Sequence, residues 1–261
     1  MYAFIFGLPL WALLLVVLGG LPAAAVIVQA VIRRKFPTLR SRRHNSVAGF
    51  LVAVIGVIYA VTVGFIISNQ WNNYTEARER TFEEAFTLES IAEGSEVLGP
   101  ATHAEVTRLV IEYNQIVLRW WSHSGQDPAS TDPAEDQTLS QLLNVFGSVQ
   151  PTNSVQQAFV EKSTWDLIDA KAESDRRLHQ ASRAHLEQPL WIVIGVSSTV
   201  TVGFCLLFGL QNERLHYILV TGVALAVASN LLLVILLDHP LAGVMPVSPD
   251  AYESVISDLS H

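Results

Sequence analysis

Apolar residues in this chain collect in four long stretches, Ala3 to Ile32, Ser46 to Ser68, Pro189 to Leu210 and Leu215 to Leu237, with the charged residues gathered between them. A helix needs about 20 apolar residues to cross a hydrocarbon layer about 30 Å thick, so each stretch predicts a membrane span. None contains Asp, Glu, Lys or Arg, which excludes a proton relay or voltage sensor built on charged side chains within the layer. The first stretch is too long for a secretory signal and has no basic residue ahead of it. Its Pro9, Gly19, Gly20 and Pro22 predict a kink near Gly20 to Pro22. Gly49, Gly56 and Gly64 in the second stretch mark places where another helix backbone can come close.

Between the second and third spans the pattern is amphipathic. Trp71, Tyr74, Arg78, Phe82, Ala85, Leu88 and Ala92 recur at helical spacing, so the second span is expected to continue as one helix to Gly99-Pro100. Thr102 and Glu105 have capping-box spacing ahead of the stripe Val106, Leu109, Val110, Tyr113, Ile116, Val117 and Trp120. Ser122 to Asp136 reads as a loop, Leu139 to Phe146 as a short helix, and Thr152 to Glu187 as a helix with Val155, Phe159, Trp165, Ile168 and Ala172 on one side. Pro189 marks the first turn of a new helix or a kink in a longer one. The fold class is therefore an all-α membrane protein, four transmembrane helices with a helical extramembrane domain inserted between spans 2 and 3. Its segments are 1–68 with a connecting loop at 33–45, the domain 69–188, spans at 189–237, and a tail 238–261.

Charge gives an orientation. Arg33, Arg34, Lys35, Arg40, Arg42 and Arg43 lie between the first two spans, and Arg214 alone between the last two. The positive-inside rule puts both connections in the cytoplasm and the middle segment outside. That segment carries 9 Lys or Arg against 19 Asp or Glu, a net of −10, and long acidic segments cross membranes largely regardless of charge. The single cysteine, Cys205, lies mid-span among apolar neighbours and reads as packing.

Enzyme signatures are missing. There is no phosphate-binding glycine loop, zinc-binding His-Glu-x-x-His or nucleophile elbow, and no metal or cofactor is expected. His44, His103, His123, His179 and His185 are dispersed and read as surface residues, and His216 sits at a span mouth. The basic run fits a topogenic loop attracted to anionic membrane lipid better than a nucleic-acid site, so no nucleic-acid partner is expected. Polar residues in or beside the spans, Gln29, Ser68, Asn69, Gln70, Ser197, Ser198, Thr199, Thr201, Ser229 and Asn230, predict interhelical hydrogen bonds or a water-filled pore. Asp238 and His239, where the last span ends, read as a hydrogen-bonded turn or as an ion or lipid-headgroup contact. Pro240 ends that helix and Gly243 predicts a tight turn.

Several motifs resemble the bacterial bestrophin-like family. Val47-Ala48-Gly49-Phe50, Gly56-Val57-Ile58-Tyr59-Ala60, Gly64-Phe65 and Trp71, with Tyr74, Ala77, Glu84 and Ala85, resemble its second span and outgoing helix. Asp175-Arg176-Arg177, Pro189-Leu190-Trp191, Gly203-Phe204, His216, Leu237-Asp238-x-Pro-x-x-Gly and Val247-Ser248-Pro249 resemble its second half. The resemblance implies a homo-oligomeric ion channel, pentameric and anion-conducting in bestrophins, with span 2 lining the pore. Bestrophins hold their helical domain in the cytosol, opposite to the side the charge rule gives here. Their acidic calcium clasp has no counterpart in this sequence. On this reading Phe65 and Ile66 supply a hydrophobic ring that excludes water, Ser68 and Asn69 a polar ring after it, and Gly56 a small pore-lining or packing position. The rival reading is a non-conducting sensor or scaffold whose outer domain binds a partner.

Overall fold

The computed structural model describes residues 9–35, 45–123, 133–183, 186–206 and 212–261; Arg40, Arg42, Arg43 and His44 fall outside them, as do the side chains of His123 and His185. All regular structure in the described residues is helical. We number the helices α1 (Leu10–Lys35), α2 (Asn45–Gly94), α3 (Pro100–His123), α4 (Pro133–Ser148), α5 (Ser154–Arg183), α6 (Gln188–Leu206), α7 (Glu213–Leu237) and α8 (Asp250–Leu259). Four of them, α1, α2, α6 and α7, are long and apolar enough to cross a membrane.

The chain divides into two compact units. The first comprises Met1–Asn72 and His185–Asp238, the second Asn73–Ala184 and His239–His261. In the first unit α7 runs antiparallel to α1 and to α6. Ala25 packs with Val220 and Ala224, Ile194 packs with Val234, and the end of α1 meets the start of α7 through Arg33 and Glu213, 3.2 Å apart. The irregularity in α1 is a π-helical turn at Leu15–Gly19, just ahead of the expected kink, and the helix then continues through Pro22. Proline at 22 cannot donate to the carbonyl one turn back, and a π turn at that point absorbs the missing bond. Pro189 lies in the first turn of α6, where a missing N–H costs nothing.

The second unit has one large core. Leu88, Val106, Tyr113, Leu139, Phe146, Leu167 and Tyr252 bring the outgoing part of α2 together with α3, α4, α5 and α8. Several local expectations change here. The capping box is not formed: Pro100 opens α3 after Gly99, whose φ of 97° needs glycine, and Glu105 binds Arg108 instead of reaching back to Thr102. α4 begins at Pro133, inside the expected loop, because a first-position proline followed by Glu135 and Asp136 suits a helix N-terminus. The C-terminal segment is no separate tail. α8 packs against α3, and the indole of Trp121 donates to the carbonyl of Val247 at 3.0 Å.

Candidate pore-lining site

One face of α2 is buried along most of its length. Tyr59, Val63, Ile66, Gln70, Ala77, Thr81, Glu84, Leu88 and Ile91 recur every three or four residues, with one gap of seven from Gln70 to Ala77, the spacing of a single helical stripe. The opposite face is open and changes character along the helix. Phe50, Val54, Val57, Val61 and Phe65 come first, Ser68 and Asn72 next, then Glu76, Glu79 and Glu83.

The candidate residues divide between these faces. Phe65 is 75% exposed, and Ser68 and Asn69 are exposed beside it. Ile66 is only 5% exposed, packed against Leu186, Ile194 and Val234, so it turns away from the face that carries Phe65. Neighbouring residues on a helix point about 100° apart, which is why adjacent positions separate in this way. Gly56 also lies on the inner side, yet a side chain added there or at Gly64 would meet nothing within 4 Å. The close helix approach expected at these two glycines is not made among the described residues.

Asp238 anchors α2 at the level of the polar positions. Its buried carboxylate accepts the Gln70 amide at 3.3 Å and the backbone N–H of Leu186, just ahead of α6, at 2.5 Å. This geometry is that of a hydrogen-bonded helix end. The next residues close a turn in which Gly243 N–H donates to the His239 carbonyl at 2.9 Å, and a Cβ at Gly243 would lie 2.5 Å from that oxygen. Gln70 was legible as a border polar residue; its partner Asp238 was not, because it lies 168 residues further along the chain.

The other span-border residues depart from the interhelical expectation. Ser197, Thr199, Thr201 and Ser229 bond to carbonyls three or four residues earlier in their own helices. Gln29 is fully buried with both amide atoms unpartnered among the described residues. At the α1–α7 mouth His216 lies between a guanidinium and a carbonyl: Arg33 Nη2 is 2.8 Å from Nδ1, and the Cys205 oxygen is 3.2 Å from Nε2.

The second unit holds a buried charge cluster. Arg177 bonds Glu84 at 3.2 Å and Glu135 more closely, while Tyr113 donates to Glu84 at 2.5 Å and Ser174 to Glu135. The guanidinium also stacks over Trp120, 5.1 Å from the ring centroid. Burial, and then the Glu84 carboxylate, push the Tyr113 phenol well above its ordinary range. Burying Arg177 sets the rotation of α5. Its inner face is Ser163, Leu167, Ala170 and Ser174, leaving Trp165 63% exposed, whereas Trp120, on the apolar stripe of α3, is buried. A cavity of about 400 Å³ beside the cluster is lined by Glu83, Asp166, Asp169 and Glu173 with Arg176. Among the described residues no three His, Cys, Asp or Glu side chains are arranged to hold a metal.

The architecture is shared with solved structures. A single-site variant of a bacterial bestrophin homologue from Klebsiella pneumoniae matches with a TM-score of 0.69 at 13% identity, over 92% of this chain and 95% of that one. A second crystal structure of that homologue matches with a TM-score of 0.70 at 11% identity, over 92% and 94%. A point variant of a membrane protein matches with a TM-score of 0.71 at 12% identity, over 94% and 97%. At such identities the likeness is one of fold. No curated protein matches the sequence. The model of the bestrophin-like domain matches residues 19–252, nearly the whole chain. With four membrane-length helices in that matched region, the protein is a multi-pass membrane protein and belongs to the bestrophin-like family.

Proposed function

We propose that the protein is a homo-oligomeric ion channel, pentameric as the family resemblance implies, with the open face of α2 and its continuation lining the ion pathway. The observation that carries this reading is the gradation along that face, from Phe65 through Ser68 and Asn69 to the carboxylates beyond, on a helix whose other side is buried. An apolar ring excludes hydrated ions because its walls cannot replace their water, so Phe65 is the restriction and the polar positions receive ions that pass it. Ile66 supports Phe65 from behind through its packing. Gly64, exposed next to Phe65, leaves a flank that a neighbouring subunit can approach. Inorganic ions are the cargo. The carboxylates that follow favour cations, the family resemblance favours anions, and ion replacement decides between them.

The test is flux through purified protein in liposomes under a concentration gradient. Wild type is expected to pass little current, Phe65→Ala several-fold more, and Cys205→Ala the same as wild type. Flux at the level of empty liposomes in all three contradicts the proposal.

The helical second unit is proposed to lie outside the cytoplasm, on the strength of the basic residues between α1 and α2. In a Cys205→Ala background, Gln157→Cys is expected to react with a membrane-impermeant thiol reagent on intact cells and Arg34→Cys to be protected. The opposite labelling would put the unit in the cytosol.

A further inference from the structure

A crevice of about 790 Å³ opens in the first unit between α1 and α6, with Val227 and Leu231 of α7 also lining it. This volume falls within the roughly 300–1,000 Å³ usual for small-molecule sites, and the walls are apolar, mostly aliphatic, apart from Ser198 and Thr199. Its α1 wall is Leu21, Ala25, Val28 and Ile32, spaced four, three and four residues apart. Eleven residues of helix rise about 16 Å, close to half of a hydrocarbon layer about 30 Å thick. The crevice is thus about one leaflet deep. Its α6 wall is cut back at Gly195 and Gly203, where an added Cβ would meet nothing within 4 Å.

One end of the crevice carries positive charge. Three residues beyond Ile32, on the same face of α1, stands Lys35, exposed with Arg34 in the last turn. The start of α7 lies at this end, joined to α1 through Arg33 and His216, and contributes exposed Arg214. We propose that the crevice is a binding site for one anionic phospholipid, an acyl chain lying along Leu21 to Ile32 and the phosphate resting against Lys35, with Arg34 and Arg214 nearby. The aliphatic walls, the one-leaflet depth and the cations at only the headgroup end together fit that ligand. A neutral lipid would leave the cations unused, and a helix from a second copy would have to bring carboxylates to the same end. The site does not depend on ion conduction, and its test does not measure flux.

The probes are dioleoyl phosphatidylglycerol and dioleoyl phosphatidylcholine, which share their chains and differ in charge. Native mass spectrometry of the purified protein in mild detergent is expected to retain one phosphatidylglycerol per chain, at several-fold lower added lipid than phosphatidylcholine requires. Gly195→Leu with Gly203→Leu fills the crevice at positions with room for a side chain and is expected to abolish the adduct while subunit assembly is unchanged. Lys35→Gln is expected to remove the preference for phosphatidylglycerol but keep binding of the chains. Equal retention of the two lipids by wild type overturns the proposal, as does undiminished retention by the filled variant. Loss of assembly in the filled variant with lipid still bound also overturns it, and makes the crevice a contact between copies.

Discussion

The first and second stretches of α2 bury the same kind of stripe and expose opposite kinds of surface. From Phe50 to Phe65 the outer face is Val, Ile, Leu, Phe, Ala and Gly; from Glu76 to Glu93 it is largely Glu, with Arg78, Phe86 and Ser90. Inside, the contrast runs the other way. The apolar-faced stretch buries Tyr59, Val63 and Ile66, while the charged-faced one buries Thr81 and Glu84 beside Ala77, Ala85 and Leu88. A helix in lipid is marked by what it exposes, and one in water by what it hides. Unpaired polar groups are costly in either interior, so the difference lies in how each is satisfied. Glu84 has Arg177 and Tyr113, whereas Gln29 in the apolar unit has no partner among the described residues.

That difference predicts opposite signs for two substitutions. Arg177→Met leaves Glu84 and Glu135 buried beside each other without their cation, and removing one partner of a buried pair costs about 3–5 kcal/mol. Thermal unfolding in detergent is expected to drop by many degrees, while Arg108→Met, which breaks only exposed pairs with Glu105 and Glu112, costs under about 1 kcal/mol. Equal, small effects would mean that the Arg177 cluster is hydrated and no core. Gln29→Leu reverses the sign. It replaces an unpartnered buried amide by an apolar group of similar size and is expected to stabilise by roughly 1 kcal/mol, within the 1–3 kcal/mol usual for a desolvated orphan group. A loss of stability there would show that the Gln29 amide is satisfied by water or by a neighbouring copy.

How much of this was legible in the sequence follows from the same contrast. The four spans were plain because lipid demands an unbroken apolar surface, which composition alone reveals. The rotation of the helices in the second unit was not. Apolar spacing put Val155, Trp165 and Ile168 on one side of α5, and all three are exposed, while Thr81, Glu84, Ser163 and Arg177 take inner positions. A charge paired across 93 residues leaves no periodic signal. Family motifs named Glu84 and Arg177, but nothing in their spacing showed that they meet. In the candidate site, Phe65, Ser68 and Asn69 are proposed from their place at the end of an apolar run, and all three are exposed. Ile66 was misjoined to Phe65 because a shared apolar character does not say which of two neighbours a helix buries.

The sharpest measurement is chemical access to the open face of α2 during ion flux. In a Cys205→Ala background, Ser68→Cys and Val63→Cys place thiols on the open and buried faces of the same helix, about one and a half turns apart. A charged, water-soluble thiol reagent is expected to modify Ser68→Cys and change liposome flux by at least several-fold, and to leave Val63→Cys unmodified with flux unaltered. Modification of Ser68→Cys with no change in flux, or reaction at Val63→Cys instead, would contradict an ion pathway along that face.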